Sequence, residues 1–327
     1  MQSKLYGTKL CRFCDLGSLV LLCVIMADCS IFGAGRMIML GPISFRMAVL
    51  AMLLILSFPL IVVQFSRLIK SPYTWFLAAF AVMLMIATAL GIYNQNSKTI
   101  MMTDLKGFAY FSAFLPAICV LRDRKRIHML MNVMLYASAM LSLISIITLC
   151  LSHFAPQLYR AFYCIGLERK MSAFALLATS VPRLFFNSSM YLVCGCAFSI
   201  YFQVIGSDKK IRIRYILITG IALFSLLLTY TRSIYLATFV AAGMLVVLLI
   251  FNSRRVQLWK LGVHIALSVV VLVLLLGVFR MITGADYFKS AVERLGVTTT
   301  TVTGEESSST GEESSSTGEE SSSTGEE

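Results

Sequence analysis

Residues 261–282 read LGVHIALSVVVLVLLLGVFRMI, a continuous apolar run in which Arg280 is the one charged side chain. A bilayer core about 30 Å thick is crossed by a helix of roughly 20 apolar residues. Backbone groups must be paired in hydrocarbon, so only helices and closed barrels span membranes. Barrel strands alternate apolar and polar residues over about 10 positions, whereas this run is longer and does not alternate. The segment therefore predicts a membrane-spanning helix.

The rest of the chain has the same character. Of its 327 residues 58% are hydrophobic and 13% are charged, against about 45–50% and about 25% in soluble domains. This excess predicts an all-α fold, a polytopic membrane bundle of nine transmembrane helices. We predict the spans at 16–35, 48–65, 74–93, 107–121, 129–151, 184–205, 215–231, 235–251 and 261–282. The basic N-terminus resembles a signal peptide, but the lack of a convincing small-residue cleavage site favours a retained first span.

Lys and Arg in the connecting segments predict the orientation of the spans. Compact basic clusters recur in every second connection, and such clusters mark the cytoplasmic side. They consist of Lys4, Lys9 and Arg12; Arg67 and Lys70; Arg122, Arg124, Lys125 and Arg126; Lys209, Lys210, Arg212 and Arg214; and Arg254, Arg255 and Lys260. The pattern predicts a cytoplasmic N-terminus and an outer C-terminus. It explains the formal net charge of +12 as a topological signal, so we expect the lipid bilayer as a partner and no nucleic acid.

The chain divides into four parts. We predict a cytoplasmic N-terminus at 1–15, a transmembrane domain at 16–282 with an outer loop at 153–183, an outer juxtamembrane segment at 283–302 and a tail at 303–327. In the tail the unit TGEESSS repeats three times and breaks off at TGEE. Repeats without apolar residues cannot bury surface that offsets ordering entropy, which predicts disorder. A repeat that stops within a unit favours tandem expansion of coding DNA, or a truncated chain, over a dedicated functional tail.

Few residues suit the chemistry of soluble enzymes. The sequence contains no P-loop, HExxH or GxSxG motif. Cys11 and Cys14 form one CxxC without a second Cys or His pair, so we expect no metal and no cofactor. Among the three histidines, His153 begins the outer loop and is the candidate for an extracellular base.

Two arginines on the predicted outer side are the main candidates for a site. Arg183 opens the sixth span in VPRLFFNSSMYL, and Arg232 lies in the tight turn YTRSIYLA. Cations at membrane depth are expensive and often mark functional sites; alternatively, both side chains reach the outer interface beside aromatic neighbours. A pair that faces one cavity suits a pyrophosphate, because the guanidinium fork binds phosphate oxygens bidentately. Asn187 follows Arg183 by one turn and either caps the sixth helix or simply begins it.

Two further groups are polar candidates. Asp28 is an acid within the first predicted span, where it either pairs with an arginine or lines a polar cavity. Arg160 lies in the outer loop beside Tyr159 and Tyr163. Aromatic and charged residues of this kind suit a glycan-contacting surface, but they are equally typical of an interfacial segment.

Over about 16–282 the chain resembles the O-antigen ligase and O-antigen polymerase-like family. The resemblance rests on short motifs: a long outer loop followed by Arg183, Phe186 and Asn187 in the spacing Arg-x-x-Phe-Asn; Thr231, Arg232 and Ser233 in a tight outer turn; DCSIFGAG at 28–35; ISFRM around Arg46; and Asp104, Leu105 and Lys106 before the fourth span.

This resemblance implies a membrane glycosyltransferase of surface polysaccharide assembly in the bacterial cytoplasmic (inner) membrane. Such an enzyme transfers or polymerises glycan from an undecaprenyl diphosphate carrier on the outer face, and it needs no metal because the diphosphate is already the leaving group. By analogy Arg183 and Arg232 are the catalytic residues that contact the pyrophosphate. The expected substrate-binding residues are Asn187, Ser233, Arg160, His153 and Arg46. The expected partners are the undecaprenyl diphosphate-linked glycan and other membrane proteins of polysaccharide assembly.

The chain also departs from that family. Family members continue into a large outer loop, with a catalytic histidine in the ligases, and then further spans. Here the TGEESSS repeats follow and no histidine comes after His264, so we expect a truncated member. Two other functions stay open. A flippase for lipid-linked oligosaccharides favours internal repeats and broken helices, and the third candidate is a non-catalytic subunit of a polysaccharide assembly complex.

Overall fold

The computed structural model describes residues 9–33, 39–40, 43–95, 97, 101–102, 105, 108–168, 172–176, 182–205, 209–251 and 255–295. Among these residues five helices are long and apolar enough to cross a membrane: Cys11–Phe32, Phe45–Val63, Pro72–Tyr93, Arg124–Phe154 and Leu261–Thr283. Four shorter apolar helices coincide with the other predicted spans: Ala109–Val120, Ser189–Val204, Ile213–Leu227 and Arg232–Leu248. The chain is thus a helical, multi-pass, membrane-associated protein. The count of nine spans and their orientation stay predictions.

The described elements follow one another with short connections. The helices are α1 (Lys9–Phe32), α2 (Phe45–Val63), α3 (Phe65–Ile69), α4 (Pro72–Tyr93), α5 (Phe114–Val120, after a 3₁₀ turn at Ala109–Ala113), α6 (Arg124–Phe154), α7 (Pro156–Glu168), α8 (Ser189–Ile205), α9 (Lys209–Leu227), α10 (Arg232–Phe251), α11 (Arg255–Thr283) and α12 (Tyr287–Leu295). Two antiparallel hairpins, β1 (Met39–Leu40) with β2 (Ile43–Ser44) and β3 (Ser172–Leu176) with β4 (Pro182–Phe186), lie in the connections.

The central helix is α6, which packs against α1, α8 and α9. Its buried face carries small hydroxyl residues, and each hydroxyl donates to a carbonyl one turn back in the same helix. These bonds run from Ser138 to Leu135, Ser142 to Ser138, Ser145 to Leu141 and Thr148 to Ile144, at 2.7–3.0 Å. Because the helix satisfies its own hydroxyls, small polar side chains can lie inside the membrane and neighbouring helices approach closely. Gly195 of α8 lies directly against Ser138 for this reason.

The two ends of the bundle differ in character. Both hairpins lie where α1, α6, α9 and α11 finish and where α2, α8 and α10 begin, which we name the hairpin end. The opposite end, the basic end, carries the predicted cytoplasmic clusters. There the two terminal nitrogens of Arg126 donate to the two carboxylate oxygens of Asp15 at 2.9 and 2.5 Å. This fork joins the start of α6 to α1 in a bidentate pair.

A second polar contact holds α8 to α9 within the bundle. Ser199 donates to the carbonyl of Tyr215 at 2.8 Å, and the Gln203 amide donates to the Thr219 hydroxyl at 2.7 Å. All three of these side chains are buried. Interhelical hydrogen bonds of this kind fix the register of two apolar helices in lipid.

Two sequence predictions need correction. The sixth span was predicted to begin at 184, but β4 runs to Phe186 and α8 begins at Ser189. Leu184 instead donates its backbone N–H to the carbonyl of Leu228 at 3.1 Å, so non-local pairing overrides the apolar pattern. The predicted outer loop at 153–183 contains α7 and most of the second hairpin.

The structure adds helices to the two segments predicted to flank the transmembrane domain. Helix α1 begins at Lys9, inside the segment predicted as the N-terminus at 1–15, and α12 occupies part of the segment predicted at 283–302. The repeat tail at 303–327 lies outside the described residues.

Candidate functional site

A buried ion pair forms the best-defined polar centre at the hairpin end. Nε of Arg46 lies 2.5 Å from Oδ2 of Asp28, and the two side chains are only 10% and 16% exposed. The guanidinium also donates to the carbonyl of Gly33, and its carbon lies 5.9 Å from the centre of the Tyr110 ring. A buried pair is tolerated only where further polar partners satisfy both ions, and these contacts supply them. Of the two alternatives for Asp28, the structure supports pairing with an arginine.

Local sequence explains how the pair is assembled. Ser44 has an extended backbone, and its hydroxyl accepts the N–H of Met47, so it caps α2 and leaves Arg46 in the first helical turn. Gly33 ends α1 with a φ of +58° and donates to the carbonyl of Cys29. Glycine adopts this left-handed conformation without the steric cost of a Cβ. The resulting turn directs the Gly33 carbonyl toward Arg46.

The end of α1 also touches the turn that follows β4. A Cβ at Gly33 would lie 2.5 Å from the backbone nitrogen of Ser188 and 2.6 Å from the carbonyl carbon of Asn187. The Ser188 hydroxyl donates to the carbonyl of Ile31 at 2.9 Å, while Asn187 is exposed. Ser189 accepts the N–H of Phe186. Two motif regions that are far apart in the chain are therefore in backbone contact.

The segments that carry the two candidate arginines are adjacent. Arg183 stands in β4 opposite Ala175, and the next residue, Leu184, is hydrogen-bonded to Leu228 in the turn between α9 and α10. Arg232 is the first residue of α10, four positions further on, and is exposed. The side chain of Arg183 lies outside the described part of the structure, so the adjacency is established for the backbone.

The turn before Arg232 is held in an uncommon conformation. Tyr230 has a φ of +47°, a region that costs a non-glycine residue about 1–3 kcal/mol and persists only where packing enforces it. Its ring is 1% exposed, and its hydroxyl lies 3.5 Å from the carbonyl of Tyr287 in α12. Helix α12, which follows the last predicted span, thus packs against the turn that leads into Arg232.

The remaining predicted site residues lie at the same end but are more dispersed. Ser233 follows Arg232 and is exposed. His153 is the exposed penultimate residue of α6, with its ring centre 5.1 Å from that of Phe154, and Arg160 is exposed on α7. In the described part of the chain, neither His153 nor Arg160 is hydrogen-bonded or ion-paired to the arginine segments. Arg46 is held by Asp28.

Several residues that build this end were not singled out by the sequence. Gly33 ends an apolar run, which is a helix-end signal that could have been used. Ser188 follows the cap candidate Asn187 directly, yet its hydroxyl donates to the carbonyl of Ile31 in α1. Tyr110 and Tyr230 carry no local signal, because their roles depend on residues distant in the chain. Among the described residues, no group of three or more His, Cys, Asp or Glu side chains is arranged to hold a metal ion, and the expectation of no metal or cofactor stays a prediction.

No protein-family model matches this chain, and neither a curated protein nor a solved structure matches it. The resemblance to O-antigen ligases and polymerases therefore stays an expectation that depends on the short motifs quoted above.

Proposed function

We propose that the protein is a glycosyltransferase-like membrane protein of surface polysaccharide assembly. In this proposal nine spans cross the bacterial cytoplasmic membrane, and the hairpin end faces outward. Its substrate is a glycan on an undecaprenyl diphosphate carrier. The observation that supports the proposal most is the hydrogen bond from Leu184 to Leu228, because it brings the strand of Arg183 beside the turn that leads into Arg232.

The proposed chemistry is a single displacement. A hydroxyl oxygen of the acceptor sugar attacks the anomeric carbon of the carrier-linked glycan, and the bond from that carbon to the diphosphate oxygen breaks. The bonding electrons leave with undecaprenyl diphosphate, and the hydroxyl proton passes to a base, for which His153 is the candidate. Arg183 and Arg232 stabilise the negative charge that grows on the diphosphate. Removing one such donor typically costs about 2.7–4 kcal/mol of transition-state stabilisation.

In this proposal Arg46 supports the site and does not bind substrate, because it is paired with Asp28. Because Asp28 neutralises it, Arg46 adds little net charge to an anion site, and its contact with Gly33 fits a supporting function. Arg183 and Arg232 then carry the attraction for the diphosphate. Three exposed residues at the hairpin end remain candidates for contacts with the sugars: Asn187, Ser233 and Arg160.

The test is complementation of a strain deleted for the gene, with polymer length measured on a polysaccharide gel and membrane abundance measured by immunoblot. Arg183→Ala and Arg232→Ala should each abolish polymer at normal abundance. Arg280→Ala is the matched control, because Arg280 is also a cation at the hairpin end, 69% exposed and 3.4 Å from Asp286. It should leave polymer unchanged. Wild-type polymer from both alanine variants would refute the catalytic assignment.

A second candidate, the non-catalytic subunit, is favoured by α4. The most apolar continuous stretch of 18 residues in this helix contains no buried residue within the described structure. Phe80 still contacts Phe108 and Phe111. A span that packs so little against its own chain is available to another membrane protein of the assembly. The test expresses the double variant Arg183→Ala with Arg232→Ala in the deleted strain and cross-links the protein from position Met83 in α4. If this variant restores polymer and the cross-link captures a polysaccharide assembly protein, the subunit function is correct. The flippase alternative gains no support from a described feature.

A further inference from the structure

An apolar cavity of about 170 Å³ lies within the hairpin half of the bundle. It is bounded by the end of α1, the last turns of α6, the middle of α7 and the end of β4. Its described lining includes Leu141, Ile144, Ile147, Thr148, Leu151, Phe162 and Phe186. Neither the proposed transfer reaction nor any candidate site residue uses this cavity.

One lining residue of the cavity, Ile147, lies on the lateral surface of α6, a helix long and apolar enough to cross a membrane. Ile147 is 56% exposed, whereas Leu141 and Thr148 are almost completely buried. The cavity therefore extends from the side of the bundle into its interior. Thr148 precedes the end of α6 at Phe154 by six residues, which is about 9 Å at 1.5 Å per residue.

The chemistry of the lining limits the occupant to hydrocarbon. Among the described lining residues, Thr148 carries the one polar side chain, and its hydroxyl donates to the carbonyl of Ile144 in its own helix at 2.7 Å. A water molecule needs two to four polar partners, and an apolar cavity of about 150 Å³ stays dry and accepts small hydrocarbons. A sugar or a diphosphate has no partner here either.

We propose that this cavity binds one acyl chain of a bilayer phospholipid, which enters from the side past Ile147. Phospholipid is the hydrocarbon present in greatest excess around an exposed lateral opening, and the cavity holds only a short stretch of chain. The bound chain fills the space between α6 and the Phe162 and Phe186 rings. It therefore packs against α7 and β4 and stabilises their positions on α6. This site is independent of the proposed transfer reaction, and its test does not measure polysaccharide.

The full-length protein is placed in nanodiscs of phosphatidylglycerol that carries a diazirine on one acyl chain, irradiated, and mapped by mass spectrometry. We expect labelling of Ile144, Leu151 and Phe162 at least about fivefold above that of Met83, which is exposed on α4. Ile144→Trp fills the cavity and should reduce the labelling of Leu151 and Phe162 by at least about fivefold.

The control variant is Val270→Trp, because Val270 is 54% exposed on α11 and is not part of the lining. It should leave cavity labelling unchanged. If Ile144→Trp does not fold, Leu151→Phe narrows the same cavity from its outer end and should act in the same direction. Labelling of the cavity no stronger than that of Met83 overturns the proposal. So does a diazirine-labelled polyprenyl phosphate that labels the cavity and displaces the acyl chain at equal concentration.

Discussion

Breaking the ion pair between Asp28 and Arg46 should strongly destabilise the bundle. At a charge separation of about 4 Å and an effective dielectric constant of about 20, the attraction is about 4 kcal/mol. The side chains keep 10% and 16% exposure, so solvent screens part of it. Removing one partner leaves the other charge buried, which typically costs about 3–5 kcal/mol. We expect Asp28→Ala to lower the free energy of unfolding by about 3 kcal/mol.

The measurement is reversible unfolding in mixed micelles of a mild detergent and dodecyl sulfate, followed by far-ultraviolet circular dichroism. The double variant Asp28→Leu with Arg46→Met should recover most of the loss, because it removes both charges and keeps apolar volume. The single variants Asp28→Leu and Arg46→Met complete a double-mutant cycle, and its coupling energy should be about 2 kcal/mol or more.

A matched control is provided by the exposed pair at the same end. Arg280 and Asp286 lie 3.4 Å apart with 69% and 38% exposure, and such pairs contribute about 0–1 kcal/mol. Asp286→Asn should therefore change stability by less than about 1 kcal/mol. If Asp28→Ala costs no more than Asp286→Asn, or if the two single changes simply add, the pair does not stabilise the junction of α1 and α2.

Three further predictions concern close packing and pH. Gly33→Ala places a Cβ within 2.6 Å of backbone atoms at a φ of +58°, so it should cost about 2 kcal/mol or more in the same unfolding assay; a neutral result would refute the tight contact. Gly220→Ala meets the Val271 side chain at 2.4 Å and should cost about 1–3 kcal/mol, and Val271→Ala should restore most of it, whereas equal losses in single and double variants would count against the clash. Burial raises the pKa of the Tyr287 hydroxyl, so its folded pKa exceeds the unfolded value of about 10; its stabilisation is complete below about pH 10 and is lost as pH rises further. The variant Tyr287→Phe should show a smaller decrease in melting temperature above about pH 10, and an unchanged decrease would contradict this assignment.

The helices were predictable because membrane hydropathy is a local property of the sequence. The run at 261–282 lies within α11, and the run at 48–65 largely overlaps α2 (Phe45–Val63). The β4 strand was not predictable, because Leu184 to Phe186 is a short apolar run that hydropathy alone cannot distinguish from the start of a helix. Its strand conformation depends on pairing with Ser172–Leu176, and that pairing has no local signal.

The candidate site was predictable as a set of residues but not as an arrangement. The sequence singled out both Asp28 and Arg46, yet it left the partner of the acid open. The contact of Ser188 with Ile31 joins residues 157 positions apart, and neither residue type announces it. Hydroxyl groups in membrane helices are usually satisfied within their own helix, as in α6. The hydroxyls that instead join distant segments, such as Ser188 and Ser199, are recognised only in the three-dimensional structure.

The small buried surface of α4 has a consequence for how freely its sequence can change. Of this helix, only Gly91 is buried among the described residues, whereas α6 buries eight residues from Leu135 to Leu149. Exchanges among Leu, Val, Met and Phe along α4 leave its transfer into lipid favourable and disturb few internal contacts. A saturation library should therefore accept almost any apolar residue in α4 and reject most in the buried face of α6. The two helices, similar in hydropathy, would be separated by their tolerance of substitution.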